Sequence, residues 1–179
     1  MVAPKFTISR QDRVATAGSC FAQHVMRALG TAGFNTLVAE GPAGAARRGA
    51  GAALPLWRVL HPLGQYLYGA RQLLQLFERA NGTFTPRCEP WEGPEGLIDP
   101  FRPSIGPFAS VAELEADRAT HLAAVRTMIA EMDVFVFTLG LTEAWLDADG
   151  ASSRWRRASL AARSSPAATV SATSRWPTR

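Results

Sequence analysis

The chain is poor in the residues that build metal sites and crosslinks: it has two cysteines, Cys20 and Cys88, and three histidines, His24, His61 and His121. The cysteines lie far apart and form no Cys-x-x-Cys pair, so neither a zinc site nor a disulfide framework is expected. Long apolar runs are missing as well. No stretch reaches the roughly 18 apolar residues needed to cross a bilayer, and the opening MVAPKFTISRQDR has no apolar h-region of a secretory leader. A soluble, cytoplasmic protein without a membrane partner is expected. Acidic residues are absent from 151–179, which holds six of the nineteen basic residues. The other thirteen face fifteen acids, so residues 1–150 carry a net −2 and the overall +4 is owed to the tail. A nucleic-acid surface needs Lys and Arg gathered on a structured face, and no nucleic-acid partner is expected. The Gly-rich stretch 41–51 has neither the Lys-Ser/Thr of a phosphate-binding loop nor a Gly-x-Gly-x-x-Gly spacing, so no nucleotide or other cofactor is expected.

What is present alternates between strand and helix patterns. Val14-Ala15-Thr16-Ala17 is a short buried-strand run ending at Gly18. Phe21, Val25 and Leu29 then recur at i, i+4 and i+8, one apolar face of a helix that ends at Gly30 to Gly33. Residues 34–38, FNTLV, read as a second strand, which makes a βαβ unit. Residues 41–63 follow neither period and receive no structure. A helix over 70–80 stops at Asn81-Gly82. Six prolines between 86 and 107 make that stretch read as loop. A longer helix follows, with Val111, Leu114, Arg118, His121, Leu122, Val125, Met128, Ile129 and Met132 at helical spacing, and Ser110 as N-cap with Glu113 three residues on. It feeds the apolar run 134–139, read as a fully buried strand closed by Gly140. The expected class is α/β with a parallel sheet. After Gly150 the Ser/Arg/Ala-rich tail offers no core strand and reads as disordered.

In an open parallel sheet, ligands bind beyond the carboxyl ends of the strands, where turns into helices present free amides. Two segments hold that position: Gly18-Ser19-Cys20-Phe21-Ala22 after the first strand, and Gly140-Leu141-Thr142-Glu143-Ala144-Trp145 after the run 134–139. Both line one crevice in this reading. Gly18 permits a sharp turn, and Ser19 at a helix N-terminus is either a nucleophile or simply the N-cap. Cys20 is either a thiol activated by the helix end or a small buried apolar residue. Thr142 suits an oxyanion donor and Glu143 a base, an orienting group or a sugar ligand, unless both serve only the loop. Trp145 is either a sugar-stacking platform or a lid on the core.

These residues carry a family resemblance. GSCFA at 18–22, ARQLLQL at 70–76, Asp99-Pro100-Phe101-Arg102-Pro103 and FTLGLTEAW at 137–145 stand in an order that resembles the GSCFA family, grouped with SGNH/GDSL-type hydrolases. The resemblance covers about residues 10–148. It implies a flavodoxin-like three-layer α/β/α sandwich, Ser19 as nucleophile, and oxyanion or substrate roles for Gly18, Gly140, Thr142, Glu143 and Trp145. The implied chemistry is that of an O-acyl esterase acting on a small-molecule or carbohydrate ester, with no metal and no cofactor.

The sequence departs from that pattern in three places. SGNH enzymes use a late His with an Asp upstream, whereas His24 and His121 belong to helices and His61 to the irregular stretch. Thr142 stands where the wider group often has Asn. The composition breaks at 41–63 and after 150 fit a shifted reading frame, since suitable codons let the neighbouring frame of 151–163 and of 56–63 resemble the family. On that expectation the domain covers 10–148, the segment 149–179 is out of frame or disordered, and the strand at 134–139 keeps an unpaired edge. Resequencing the coding DNA across both regions tests it: an unchanged frame overturns it. Without a base the alternative reading is an inactive fragment or a carbohydrate-binding remnant.

Overall fold

A computed structural model describes residues 4–39, 67, 69–103, 105, 107–141, 143–146, 149–153 and 170–173. Among them the chain is a mixed α/β structure with a small parallel sheet and three helices. β1 (Val14–Gly18) leads through Ser19 into α1 (Cys20–Thr31), and α2 (Ala70–Ala80) comes next. The short strands β2 (Trp91–Gly93) and β3 (Gly96–Ile98) precede α3 (Val111–Glu131) and β4 (Val134–Thr138). β5 (Glu143–Leu146), β6 (Ser152–Ser153) and β7 (Val170–Thr173) close the order.

β1 and β4 pair in parallel, Val14 opposite Val134 through Gly18 opposite Thr138. On its other side β1 holds the segment expected as a second strand by one parallel bridge, Val14 to Thr36, with Val14 N–H on the Asn35 carbonyl and Leu37 N–H on the Val14 carbonyl. Residues 34–38 are thus an extended neighbour of β1 rather than a full strand. Successive strand residues point to opposite faces. Ala15 and Ala17, with Phe135 and Phe137, pack against Leu76 and Ala80 of α2 and Val125 and Met128 of α3. On the alternate face, Thr16 donates its hydroxyl to the Ala22 carbonyl of α1 at 3.4 Å. Small residues in β1 let both helix layers close on it, which is why all five of its residues are buried.

α1 turns a different face inward from the one expected. Ala22, Gln23 and Met26 are buried, whereas Phe21 is 61% exposed. The small Ala22 against Thr16 sets the approach, and Phe21 is rotated out beside the turn. α3 follows the expected period, with Leu114, His121, Val125 and Met128 buried. Ser110 caps it, accepting from Glu113 N–H at 3.2 Å while the Glu113 carboxylate accepts from Ala109 N–H at 2.9 Å. α2 ends as expected at Asn81, followed by Gly82 with φ +75°.

Four expectations need correction. The strand β4 is half-buried throughout rather than fully buried, and Leu139 lies outside it at 66% exposure. Among the described residues nothing pairs with the edge of β4 away from β1. The proline-rich stretch is not all loop: β2 and β3 form an antiparallel hairpin, Trp91 opposite Ile98, and Leu97 and Phe108 exchange two backbone hydrogen bonds of 2.8 Å. Pro94 falls in the turn of the hairpin and the other prolines of the stretch lie before or after its strands, where they cost no ladder hydrogen bond. The segment 143–146 is a strand instead of a loop, and the tail supplies β6 and β7, both antiparallel to β5. Backbone pairing needs no apolar side chains, so Ser-rich sequence can join a sheet edge. The rest of the tail and residues 40–66 lie outside the described residues.

Candidate functional site

The parallel register sets the ends of β1 and β4, from which the two sequence segments leave, side by side. Gly18 lies opposite Thr138 at the carboxyl end of the pair, and the chain turns at Ser19 into α1. Gly18 has φ +133°, in the region that favours glycine, and a β-carbon there would collide with the carbonyl and hydroxyl oxygens of Thr138. The missing side chain allows the approach. Ser19 then gives its N–H to both oxygens, at 3.3 Å to the carbonyl and 3.2 Å to Oγ1. A third segment joins them: Leu67 N–H donates to the Gly18 carbonyl at 2.9 Å, and Gly69 stands against the Leu141 carbonyl.

Ser19 is half-buried and is the N-cap of α1. Its Oγ accepts from Phe21 N–H at 3.3 Å and lies 3.4 Å from Thr138 Oγ1. The cap role is therefore real, and it places the oxygen on the positive end of the helix dipole. Cys20, read as either a thiol activated by the helix end or a small buried apolar residue, is not buried but exposed at the first position of α1. A first-turn residue directed away from the sheet meets water, not core.

Gly140 is exposed in the segment after β4. Thr142 lies outside the described residues. Glu143 and Trp145 stand in β5, opposite Thr173 and Ser171 of β7, and are placed here by their backbone alone. Of the histidines, His24 is exposed on α1 with its ring 6.5 Å from that of Phe21, and His121 is buried on α3, while His61 lies outside the described residues. Among the described residues the side-chain partner of Ser19 is Thr138, which the sequence reading missed. The available signal was its place as the last residue of a strand parallel to the one that carries Ser19.

The DPFRP segment builds a separate buried polar cluster. Asp99 is fully buried, bonded by Arg118 at 2.8 Å, paired with Arg102 at 3.5 Å, and capped by Phe101 N–H at 3.1 Å. Arg102 also pairs with Asp117. Burial alone would push the Asp99 carboxyl up, but the Arg118 hydrogen bond, the Arg118 and Arg102 charges and the Phe101 amide hold it below its ordinary value. Arg79 lies over the Phe101 ring at 3.7 Å. Burial lowers its guanidinium to about 10, still a cation at neutral pH. The cluster ties the 99–102 turn to α2 and α3 and thus supports the layer beneath the site. Among the described residues no group of His, Cys, Asp and Glu is placed to hold a metal ion, and no helix is long and apolar enough to cross a membrane.

No curated protein and no solved structure matches the chain. One family model does, over residues 13–157, which include the GSCFA turn, the DPFRP cluster and both strands of the parallel pair, and the chain accordingly belongs to the GSCFA family.

Proposed function

We propose that this domain is an SGNH-type serine hydrolase of the three-layer α/β/α kind, with Ser19 as the nucleophile toward O-acyl esters, including esters borne on carbohydrate. The observation that carries the reading is the place of Ser19 Oγ at the carboxyl end of the parallel pair, held by the first-turn amide of Phe21 and lying 3.4 Å from the Thr138 hydroxyl. Helices against both faces of β1 support the layered fold. In the reaction Ser19 Oγ adds to the ester carbonyl, the bond to the alcohol oxygen breaks, and the proton lost by Ser19 leaves on that alcohol. Water then cleaves the acyl-serine ester and restores the hydroxyl. Since the Ser19 amide is already bonded to Thr138, the oxyanion is assigned to the Cys20 amide, which has no acceptor inside the helix, and to Gly140 and Thr142. Gly18 serves by closeness to Thr138, and Glu143 and Trp145 are assigned to the substrate.

A fluorophosphonate probe tests this. Ser19→Asn removes the nucleophile and keeps a capping acceptor. The expected result is an adduct on Ser19 that the variant lacks at an unchanged melting temperature. A folded wild-type protein that gains no adduct there overturns the reading.

One observation favours a second reading, an inactive or carbohydrate-binding domain: the described partners of Ser19 Oγ are an amide and a hydroxyl, and neither is a base. Glycan binding by calorimetry, weakened by Trp145→Ala in a protein that the probe does not label, selects it.

A further inference from the structure

We propose that Thr138 is the positioning residue of this site, its hydroxyl accepting from the Ser19 amide and directing its own proton to Ser19 Oγ. The inference rests on the reading of Ser19 as nucleophile. A serine that only caps α1 needs one contact, the Phe21 amide at 3.3 Å. Likewise the Ser19 N–H has an acceptor in the Thr138 carbonyl at 3.3 Å. The Thr138 hydroxyl is additional to both. It lies 3.2 Å from the Ser19 nitrogen and 3.4 Å from Ser19 Oγ, so backbone and side chain of the same serine are held by one group. β-Branching restricts the Thr138 χ1 rotation, and the approach exists because Gly18 has no β-carbon to meet Thr138.

The chemistry follows from the electron pairs of the serine oxygen. One lone pair accepts the Phe21 N–H and the other the Thr138 O–H. As the serine proton passes to the departing alcohol oxygen, the pair of the former O–H bond attacks the ester carbonyl, and the two donors stabilise the negative charge that grows on Oγ. One of them is at the positive end of α1. Thr138 touches neither the ester nor the transferred proton. It sets the rotamer of Ser19 and favours the deprotonated oxygen.

The test compares the wild-type chain with Thr138→Val and Thr138→Ser, reading the rate of fluorophosphonate labelling at Ser19 by mass spectrometry from neutral to alkaline pH. Thr138→Val is expected to label about tenfold more slowly, the effect of losing one hydrogen bond to a developing charge, with its profile displaced to higher pH. Thr138→Ser restores rate and profile. Equal rates and profiles for Thr138→Val and wild type, or a Thr138→Ser as slow as Thr138→Val, overturn the inference and leave the Ser19 reading standing. Absence of label on wild-type Ser19 removes that reading and this one with it. Melting curves separate packing from the hydroxyl, and if the valine variant unfolds, Thr138→Ala takes its place in the comparison.

Discussion

Arg13 and Asp133, 120 residues apart, close the amino ends of the two parallel strands on each other. The Asp133 carboxylate accepts from the Arg13 backbone N–H at 2.9 Å, from Nε at 3.0 Å and from Nη2 at 3.1 Å, and the Asp133 N–H returns to the Arg13 carbonyl at 2.9 Å. At the opposite end Gly18 and Thr138 hold the same pair together. The sheet is thus fixed at both ends by specific contacts, and the site sits at one of them.

The Arg13 hydrogen bonds hold the Asp133 carboxyl down to about 2 from its ordinary 3.8. A carboxyl lowered in the folded state stabilises it fully above the unfolded value and ceases to do so as pH falls through the folded one. The melting-temperature gap between wild type and Asp133→Asn should therefore be full above pH 3.8 and close as pH approaches about 2. Both side chains are 44% exposed, so the gap should also shrink in salt. A gap that stays constant down the pH range would show that Asp133 acts only through its shape.

Gly18→Ala should be severe. The position has φ +133°, and the new methyl meets the backbone and hydroxyl of Thr138, which cannot swing aside without parting β1 from β4. A cost of at least about 2 kcal/mol is expected from the backbone conformation and the displaced strand together. Urea unfolding measures it, and a loss below about 0.5 kcal/mol, the scatter of ordinary surface substitutions, contradicts the close approach.

Asp99→Ala leaves Arg118 without the carboxylate that faces it and the buried Arg102 with Asp117 alone. Breaking a buried pair from one side costs about 3–5 kcal/mol. The double change Asp99→Ala with Arg118→Met should recover part of that loss, because the uncompensated charge goes too. A double variant no better than the single one would place the role of Asp99 in its bond from the Phe101 amide instead.

Gln75 on α2 joins the helix to the chain after β5. Its amide donates to the Gly150 carbonyl at 2.8 Å and its carbonyl accepts from Ser152 N–H at 2.7 Å, as a neighbouring strand would. Gln75→Leu should cost about 1–3 kcal/mol for the Ser152 N–H left unpaired in a buried setting, while the Gly150 carbonyl keeps Arg71 at 3.4 Å. Hydrogen exchange at the Ser152 amide reads the same contact locally, and protection equal to wild type would count against it.

Much of the helical architecture was legible in the sequence. The face of α3, its Ser110 and Glu113 capping pair and the Asn81-Gly82 stop of α2 all depend on residues within one or two turns. The strands β1 and β4 were legible as short runs of small, branched and aromatic residues. Between Pro90 and Pro107 local reading failed. There the hairpin turns at Gly93-Pro94-Glu95-Gly96, and its strands are too short to show an alternation.

At the candidate site, sequence placed Ser19 and Gly18 at the end of a strand and the start of a helix, because that junction is written in adjacent residues. It determined the family by the same means. Tertiary structure alone decided that Thr138 is the residue beside Ser19, that Phe21 faces out while Ala22 faces in, and that Asp99 gathers its arginines. Each of these depends on the pairing register of distant strands or on how closely a helix lies on a sheet. A one-residue slip in that register would turn every side chain to the other face, and no local pattern around residue 19 states which residue near 138 stands opposite.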